Sequence, residues 1–571
     1  MFGKRADVWQ RIQSTPEWHV IVIGGGITGA GILREAARAG LRTLLVEQRD
    51  FAWGTSSRSS KMVHGGLRYL KQGQIGMTFQ SVRERQNLLA DGEGLVTRLG
   101  FLMPMYKEGG SKLPYQIGLS IYDLMAMQWG HRQYKRDEFA MLAPRISRKG
   151  LEGGFYFEDA QTDDARLVLR VLQEAIADGG VAINYVQAEH LLKNEDGVCG
   201  ATMRDAESGQ TANARARVVI NATGAWVDKL RAEVGGDKHI RPLRGSHLIF
   251  PSWRFPVAQA VSFPHPHDDR PVFVYPWEDV TLAGTTDIDH DDDLNVEPRI
   301  SGEEVAYLLA ACNRQFPALD LTVGDILSTY AGVRPVIGTG KADPSKESRD
   351  HVVWLEDGLL SVTGGKLTTF RVIALDALKA AERRLPDLQF SDDAPVFDPV
   401  EGDLPLEADS LTESEQTRLL GRYGANAADL VRQAGHDELC HVPNAITLWA
   451  ELRWAAHAEA VVHLDDLLLR RTRLGLVLPE GGLQHVERIR QICQLELGWD
   501  DERWDDEVAR YRTLWQTHYS LPPRDDIPDW RAYAGSPAEA TARRGIQWSV
   551  VLAAALVLIG LLWLLQRRAN E

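Results

Sequence analysis

The stretch His19-Val20-Ile21-Val22-Ile23-Gly24-Gly25-Gly26-Ile27-Thr28-Gly29 decides the fold. Residues 19–23 read as a buried strand, 24–29 as a tight turn, 30–39 as a helix and 43–46 as a second strand, which is the order of a βαβ unit. Gly24 permits the turn, Gly26 lets a pyrophosphate approach the backbone, and Gly29 lets helix and strand pack closely. Glu47 follows Gly24 by 47 − 24 = 23 residues, the position from which a carboxylate accepts from an adenosine ribose hydroxyl. A glycine turn alone is common. With a strand before it, a helix after it and an acid at this spacing, it predicts a dinucleotide site. FAD and NAD share this opening, so the motif does not choose between them. Further on, Val218-Val219-Ile220-Asn221-Ala222-Thr223-Gly224-Ala225-Trp226 reads as a strand ending in a small-residue turn that a flavin nucleotide can approach.

The chain around this unit has 571 residues, 44% of them apolar, enough for several domains and a substantial core. Its net charge of −15 makes phosphate-backbone binding a poor default and argues against nucleic acid, while leaving room for a local cationic pocket. Cys199, Cys312, Cys440 and Cys493 are scattered without zinc-like spacing and fit a reducing compartment. His265, His267, Asp268 and Asp269 read as a polar loop, and no metal is expected. Residues 546–565 are 20 consecutive uncharged, mostly apolar residues flanked by Arg543, Arg544, Arg567 and Arg568. As a helix this run would extend about 30 Å, the thickness of a bilayer core, so a single transmembrane helix is expected. Residues 1–18 do not resemble a signal peptide. The expected localisation is therefore the inner or cytoplasmic membrane, with the body facing the cytoplasm.

Between the ends, 99–158 and 236–313 alternate short apolar runs with Pro, Gly and charged turns, as a mixed-sheet substrate domain would. These segments sit within a nucleotide-binding body over 1–390. A linker over 391–410 follows, then a helical C-terminal domain over 411–535, predicted from periodicity at 413–432, 446–469 and 483–495.

The run Thr55-Ser56-Ser57-Arg58-Ser59-Ser60-Lys61-Met62-Val63-His64-Gly65-Gly66-Leu67-Arg68-Tyr69-Leu70 closely resembles the signature of membrane-associated, FAD-dependent glycerol-3-phosphate dehydrogenases. The resemblance continues through Asp163-Asp164-Ala165-Arg166-Leu167, 221–226, Gly245-Ser246-His247, Gly284-Thr285-Thr286-Asp287, Gly332-Val333-Arg334-Pro335 and Gly364-Gly365-Lys366-Leu367-Thr368-Thr369, covering the main body. The later helical region resembles the family's C-terminal domain. The resemblance implies an α/β fold: a Rossmann-like FAD-binding domain of the glucose-inhibited/D-amino-acid-oxidase-like type, with the mixed-sheet substrate domain and the C-terminal helical domain. It also implies FAD as cofactor and oxidation of sn-glycerol 3-phosphate to dihydroxyacetone phosphate. A membrane quinone at the lipid bilayer would take the electrons. The apolar tail departs from the family's usual monotopic pattern. An FAD-linked oxidase using dioxygen on another hydroxy or amino substrate, and a non-catalytic FAD-binding sensor, stay open, as does homo-oligomerisation.

By the same resemblance His247, with a pKa suited to proton transfer, is the first choice of base. Arg334, whose donor fork matches a phosphate, is the first choice of anion clamp, with Arg349 beside it. Lys366 is expected to stabilise negative charge at the substrate, and whether it or His247 is the principal base stays open. Thr369 joins the substrate set. The expected flavin contacts are Gly24, Gly26, Gly29, Glu47, Thr55, Ser59, His64, Gly65, Gly66, Thr223, Gly224, Gly365 and Thr368.

Overall fold

The strand Trp18–Ile23 shows why its sequence builds a layered sheet: Val20 and Val22 enter one apolar cluster, while Ile21 and Ile23 enter another on the opposite face. The computed structural model describes residues 2–71, 74–107, 112–338, 350–385, 391, 394–400 and 402–534. In it this strand lies between Thr43–Val46 and Thr211–Asn221, parallel to both. Leu359–Gly364 and Val181–Ile183 extend the parallel set on either side, and His351–Glu356 adds an antiparallel edge. Helices Ile27–Arg38, Asp164–Ala177 and Phe370–Ala380 cover the Val20 face. The other face is covered by helix Arg5–Ser14 and the antiparallel pair Val186–Asn194 and Gly197–Asp205. The first crossover helix starts at Ile27, three residues before the expected 30, because Gly26 is extended and Ser56 Oγ takes the Ile27 amide at 2.9 Å.

A second, mixed sheet of ten described strands draws on both expected substrate segments, including Val96–Tyr106, Leu151–Thr162, Ile240–Pro251, Pro271–Trp277 and Val280–Gly284. It also recruits Met62–Val63 and Ser328–Ile337 from outside them. The strand Ser328–Ile337 runs antiparallel to Ile240–Pro251, setting Arg334 opposite Leu243 and Tyr330 opposite His247. That pairing joins residues from 79 positions apart, Ile249 with Ser328, to 97 apart, Ile240 with Ile337.

The described residues 402–534 are mainly helical, with Glu413–Tyr423, Ala427–Gln433, Trp449–Ala458, Val486–Leu497 and Asp501–His518 as the α-helices of seven or more residues among them. Buried ion pairs fasten this region to the loop after Thr43–Val46 and to the start of helix Asp164–Ala177. Arg471 donates to Asp50 at 2.6 and 2.8 Å, Arg166 to Glu459 at 2.5 and 2.9 Å, and Arg422 to Asp163 at 2.9 Å. Two expectations are corrected. Among the described residues no helix is long and apolar enough to cross a membrane, so the described fold has no transmembrane helix and gives no support to an integral membrane localisation. The run 546–565, on which both rested, lies outside the described residues.

Candidate functional site

The carboxyl ends of the parallel strands open on a cavity of about 210 Å³, the usual place for a ligand in such a sheet. Gly24, Gly26, Glu47, Thr55, Ser59, Thr223, Gly224 and Gly365 all line it. Gly24 needs to be glycine twice over: its φ is +116°, and a Cβ there would lie 2.5 Å from the Ala222 carbonyl oxygen. Gly29 lies behind the wall, where a Cβ would collide with the Gly24 carbonyl, so it serves packing between turn and helix. The Glu47 carboxylate accepts from the Gly25 amide at 2.6 Å and the Arg49 amide at 2.9 Å, while burial pushes its pKa upward. A bare backbone at the start of a 12-residue helix, with an acid at the cavity wall, fits the pyrophosphate and ribose of an adenine dinucleotide.

A second cavity of about 570 Å³ meets the first, sharing Thr55, Ser59, Pro335 and 364–367 with it. Arg334 lines it and donates to Asp287 at 3.0 Å and Thr285 Oγ1 at 3.1 Å. Gly245 makes room for this guanidinium, since a Cβ there would lie 2.5 Å from Nη2. Lys366 lines both cavities. Its ammonium donates to Ser81 Oγ at 2.9 Å and stands 3.7 Å from the centre of the Tyr69 ring. His64 and Thr368 also line the second cavity, joined by a 3.2 Å hydrogen bond from Thr368 Oγ1 to the His64 carbonyl.

Several expected residues stand off the walls. Gly65 packs against Tyr122 and Val82, Gly66 makes the turn that presents Tyr69, and Thr369 is buried behind Lys366. Arg349 lies outside the described residues. His247 is only 1% exposed and lines neither cavity. Its Nε2 lies 2.9 Å from Ser60 Oγ, and Ser60 is on the wall. The imidazole stacks on Tyr330 with ring centres 4.6 Å apart and planes 9° from parallel. Burial, then Arg334, then Lys61 hold its pKa well below the ordinary histidine value, so the ring is neutral near pH 7. Lys61 is itself fully buried between the Trp277 and Tyr330 rings and pairs with Asp164 at 2.9 Å. Burial and then Arg473 lower its pKa to about 8.

Sequence reasoning passed over Ser60, Tyr69, Asp268, Asp269, Arg270, Thr285 and Asp287, all of which line the second cavity. Ser60, Tyr69, Thr285 and Asp287 sit inside motifs that were recognised, so their signal was present. Arg270 and its acidic neighbours belong to a stretch that reads as a plain polar loop.

Residues 19–371 match the family described as FAD dependent oxidoreductase, and residues 390–504 match the C-terminal domain of alpha-glycerophosphate oxidase. The aerobic glycerol-3-phosphate dehydrogenases of Staphylococcus epidermidis and Staphylococcus aureus are 35% identical over 496 and 498 residues, covering 82% of this chain and 89% of theirs. The glycerol-3-phosphate dehydrogenase from Bacillus halodurans complexed with FAD is 29% identical with a TM-score of 0.74, over 90% of this chain and 97% of that one. The L-alpha-glycerophosphate oxidase from Mycoplasma pneumoniae with FAD bound shares the fold at 17% identity and a TM-score of 0.53, over 68% of this chain and 100% of that one.

Proposed function

The chain belongs to the FAD dependent oxidoreductase family, and from that premise we propose that it oxidises sn-glycerol 3-phosphate to dihydroxyacetone phosphate and delivers the electrons to a quinone. The observation that carries this reading is the junction of the two cavities. A dinucleotide laid along the first ends at a second, which offers Arg334, Arg270 and Lys366 to a small anion. Bound FAD supplies a two-electron acceptor for hydride. Arg334, aimed by Asp287 and Thr285, holds the phosphate, and a guanidinium fork suits that task better than a point charge. Lys366, beside the shared wall, stabilises charge developing on the C2 oxygen. His247, kept neutral by its burial and cationic neighbours, is the proton's destination.

Quinone is the finer part of the proposal. A second reading, dioxygen as acceptor, is favoured by the oxidase description of the C-terminal match. Turnover of the FAD-loaded protein with a soluble quinone analogue separates the two. The proposal expects ketone and reduced quinone in equal amounts. Peroxide formed in step with ketone, with the quinone left oxidised, would establish the oxidase, and no ketone at all would remove the substrate assignment.

A further inference from the structure

His247 cannot touch a substrate in the second cavity directly, because it lines no part of that wall and is 1% exposed. Ser60 does line the wall, with its Oγ 2.9 Å from His247 Nε2. The serine is held on both sides. Its carbonyl accepts from Tyr275 Oη at 2.7 Å, and the preceding Ser59 carbonyl accepts from Tyr330 Oη at 2.9 Å. Ser59 is in turn tied to Asp164 through its amide at 2.9 Å and its hydroxyl at 2.7 Å. The histidine is fixed equally well, flat on Tyr330 and pressed against Gly284, where a Cβ would collide with the ring. Its Nδ1 is buried with no hydrogen-bond partner among the described residues, so exchange of protons with the cavity is confined to Nε2. An acceptor set one hydroxyl behind a cavity wall, with the backbone that carries the hydroxyl clamped in place, is the arrangement of a two-step proton transfer.

We propose that Ser60 is a catalytic residue, relaying the proton of the substrate's secondary hydroxyl to His247. This rests on the substrate reading above. The substrate O–H bond breaks and an Oγ–H bond forms, while the original Oγ–H proton moves to Nε2. The C2–H bond breaks with hydrogen and electron pair leaving together as hydride, which bound FAD would accept, and C2=O forms. The hydroxyl proton ends on His247, and the C2 hydrogen with its two electrons would end on the cofactor. Charge on His247 then grows beside Arg334 and Lys61, the cationic groups that act on the ring, which favours prompt return of the proton to solvent after product leaves.

The test compares wild type, Ser60→Ala and Ser60→Thr in anaerobic flavin reduction by sn-glycerol 3-phosphate across pH. FAD content and thermal melting serve to certify the fold. Removing the relay should slow reduction by about 10²–10⁴-fold in the alanine variant, and threonine should recover most of the rate. The imidazole nitrogen resonances of His247 in substrate-free protein should shift in Ser60→Ala and stay near their wild-type positions in Ser60→Thr. Wild-type reduction by the phosphorylated alcohol together with an equally fast alanine variant would overturn the relay alone. Unmoved His247 resonances in the alanine variant would overturn it as well. A wild type that the substrate fails to reduce would bring down the substrate reading, and the relay with it.

Discussion

Gly26→Ala separates two demands that the glycine turn places on its residues. The backbone at Gly26 has φ −80° and ψ −176°, which alanine adopts freely. The added methyl would meet Ser56 Oγ at 3.1 Å, and its next neighbour is 4.0 Å away, so the protein itself accommodates it with a shift of tenths of an ångström. Replacing glycine at a compatible position gains about 0.4–1 kcal/mol by narrowing the unfolded ensemble. The cofactor-free protein should therefore melt at the wild-type temperature or slightly above. FAD binding should move the other way, because Gly26 lines the cavity and a methyl intrudes where the pyrophosphate must approach. Overpacking of about 1–3 kcal/mol corresponds to roughly 5–150-fold weaker affinity. Flavin fluorescence titration of cofactor-free protein and a thermal melt of the same sample give both signs at once. Gly24→Ala is the counter-example: its φ of +116° and the Ala222 carbonyl 2.5 Å away predict a destabilised protein even without cofactor. If Gly26→Ala bound FAD as wild type does, the placement of the pyrophosphate would be wrong.

Arg334→Ala removes the proposed phosphate clamp and leaves the largely buried Asp287 without its 3.0 Å partner. Loss of about 2–5 kcal/mol predicts roughly 30- to 5,000-fold lower kcat/KM for the phosphorylated substrate with FAD content unchanged, and steady-state kinetics showing no loss would clear Arg334 of this role. Lys61→Met removes one of the two cations that depress His247, so the His247 pKa rises and the acid limb of the rate profile moves to higher pH; a limb that stays put or moves acidward contradicts the assignment. Asp466 is raised to about 6 by burial and the neighbouring Asp50 carboxylate. A folded pKa above the unfolded value gives stability that is fully present below about pH 4 and lost as pH rises through 6. Asp466→Asn should therefore show a shallower fall in melting temperature than wild type between about pH 4 and pH 7, and parallel curves would refute it.

The nucleotide half of the molecule was legible because its signals are local. Strand, turn, helix and Glu47 fall within 30 consecutive residues, and the alternation of Val20 and Ile21 between two faces is written in the chain itself. The substrate half depends on partners far apart in sequence. His247 could be singled out as a candidate base by resemblance, but its position behind Ser60 follows from the pairing of Ile240–Pro251 with Val280–Gly284 on one side and Ser328–Ile337 on the other. The histidine expected at the wall is thus one residue removed from it. Helix Asp501–His518 falls within the helical domain expected over 411–535 but outside its three periodic stretches, because charged residues dominate it, although Trp504, Tyr511 and Trp515 recur at helical spacing and are buried. The ion pairs from Arg471 to Asp50 and from Arg166 to Glu459 left no local trace either, since each joins segments hundreds of residues apart.

On the proposed reading, one flavin site faces one phosphate-holding cavity in a single chemical unit. Its most direct measurement is anaerobic single turnover: full-length protein loaded with FAD, mixed with sn-glycerol 3-phosphate, and in a parallel sample with unphosphorylated glycerol. The phosphorylated alcohol should bleach the flavin with one dihydroxyacetone phosphate formed per flavin reduced, while glycerol at the same concentration leaves it oxidised. Flavin that stays oxidised with the phosphorylated alcohol, or is bleached equally by both, would contradict that reading.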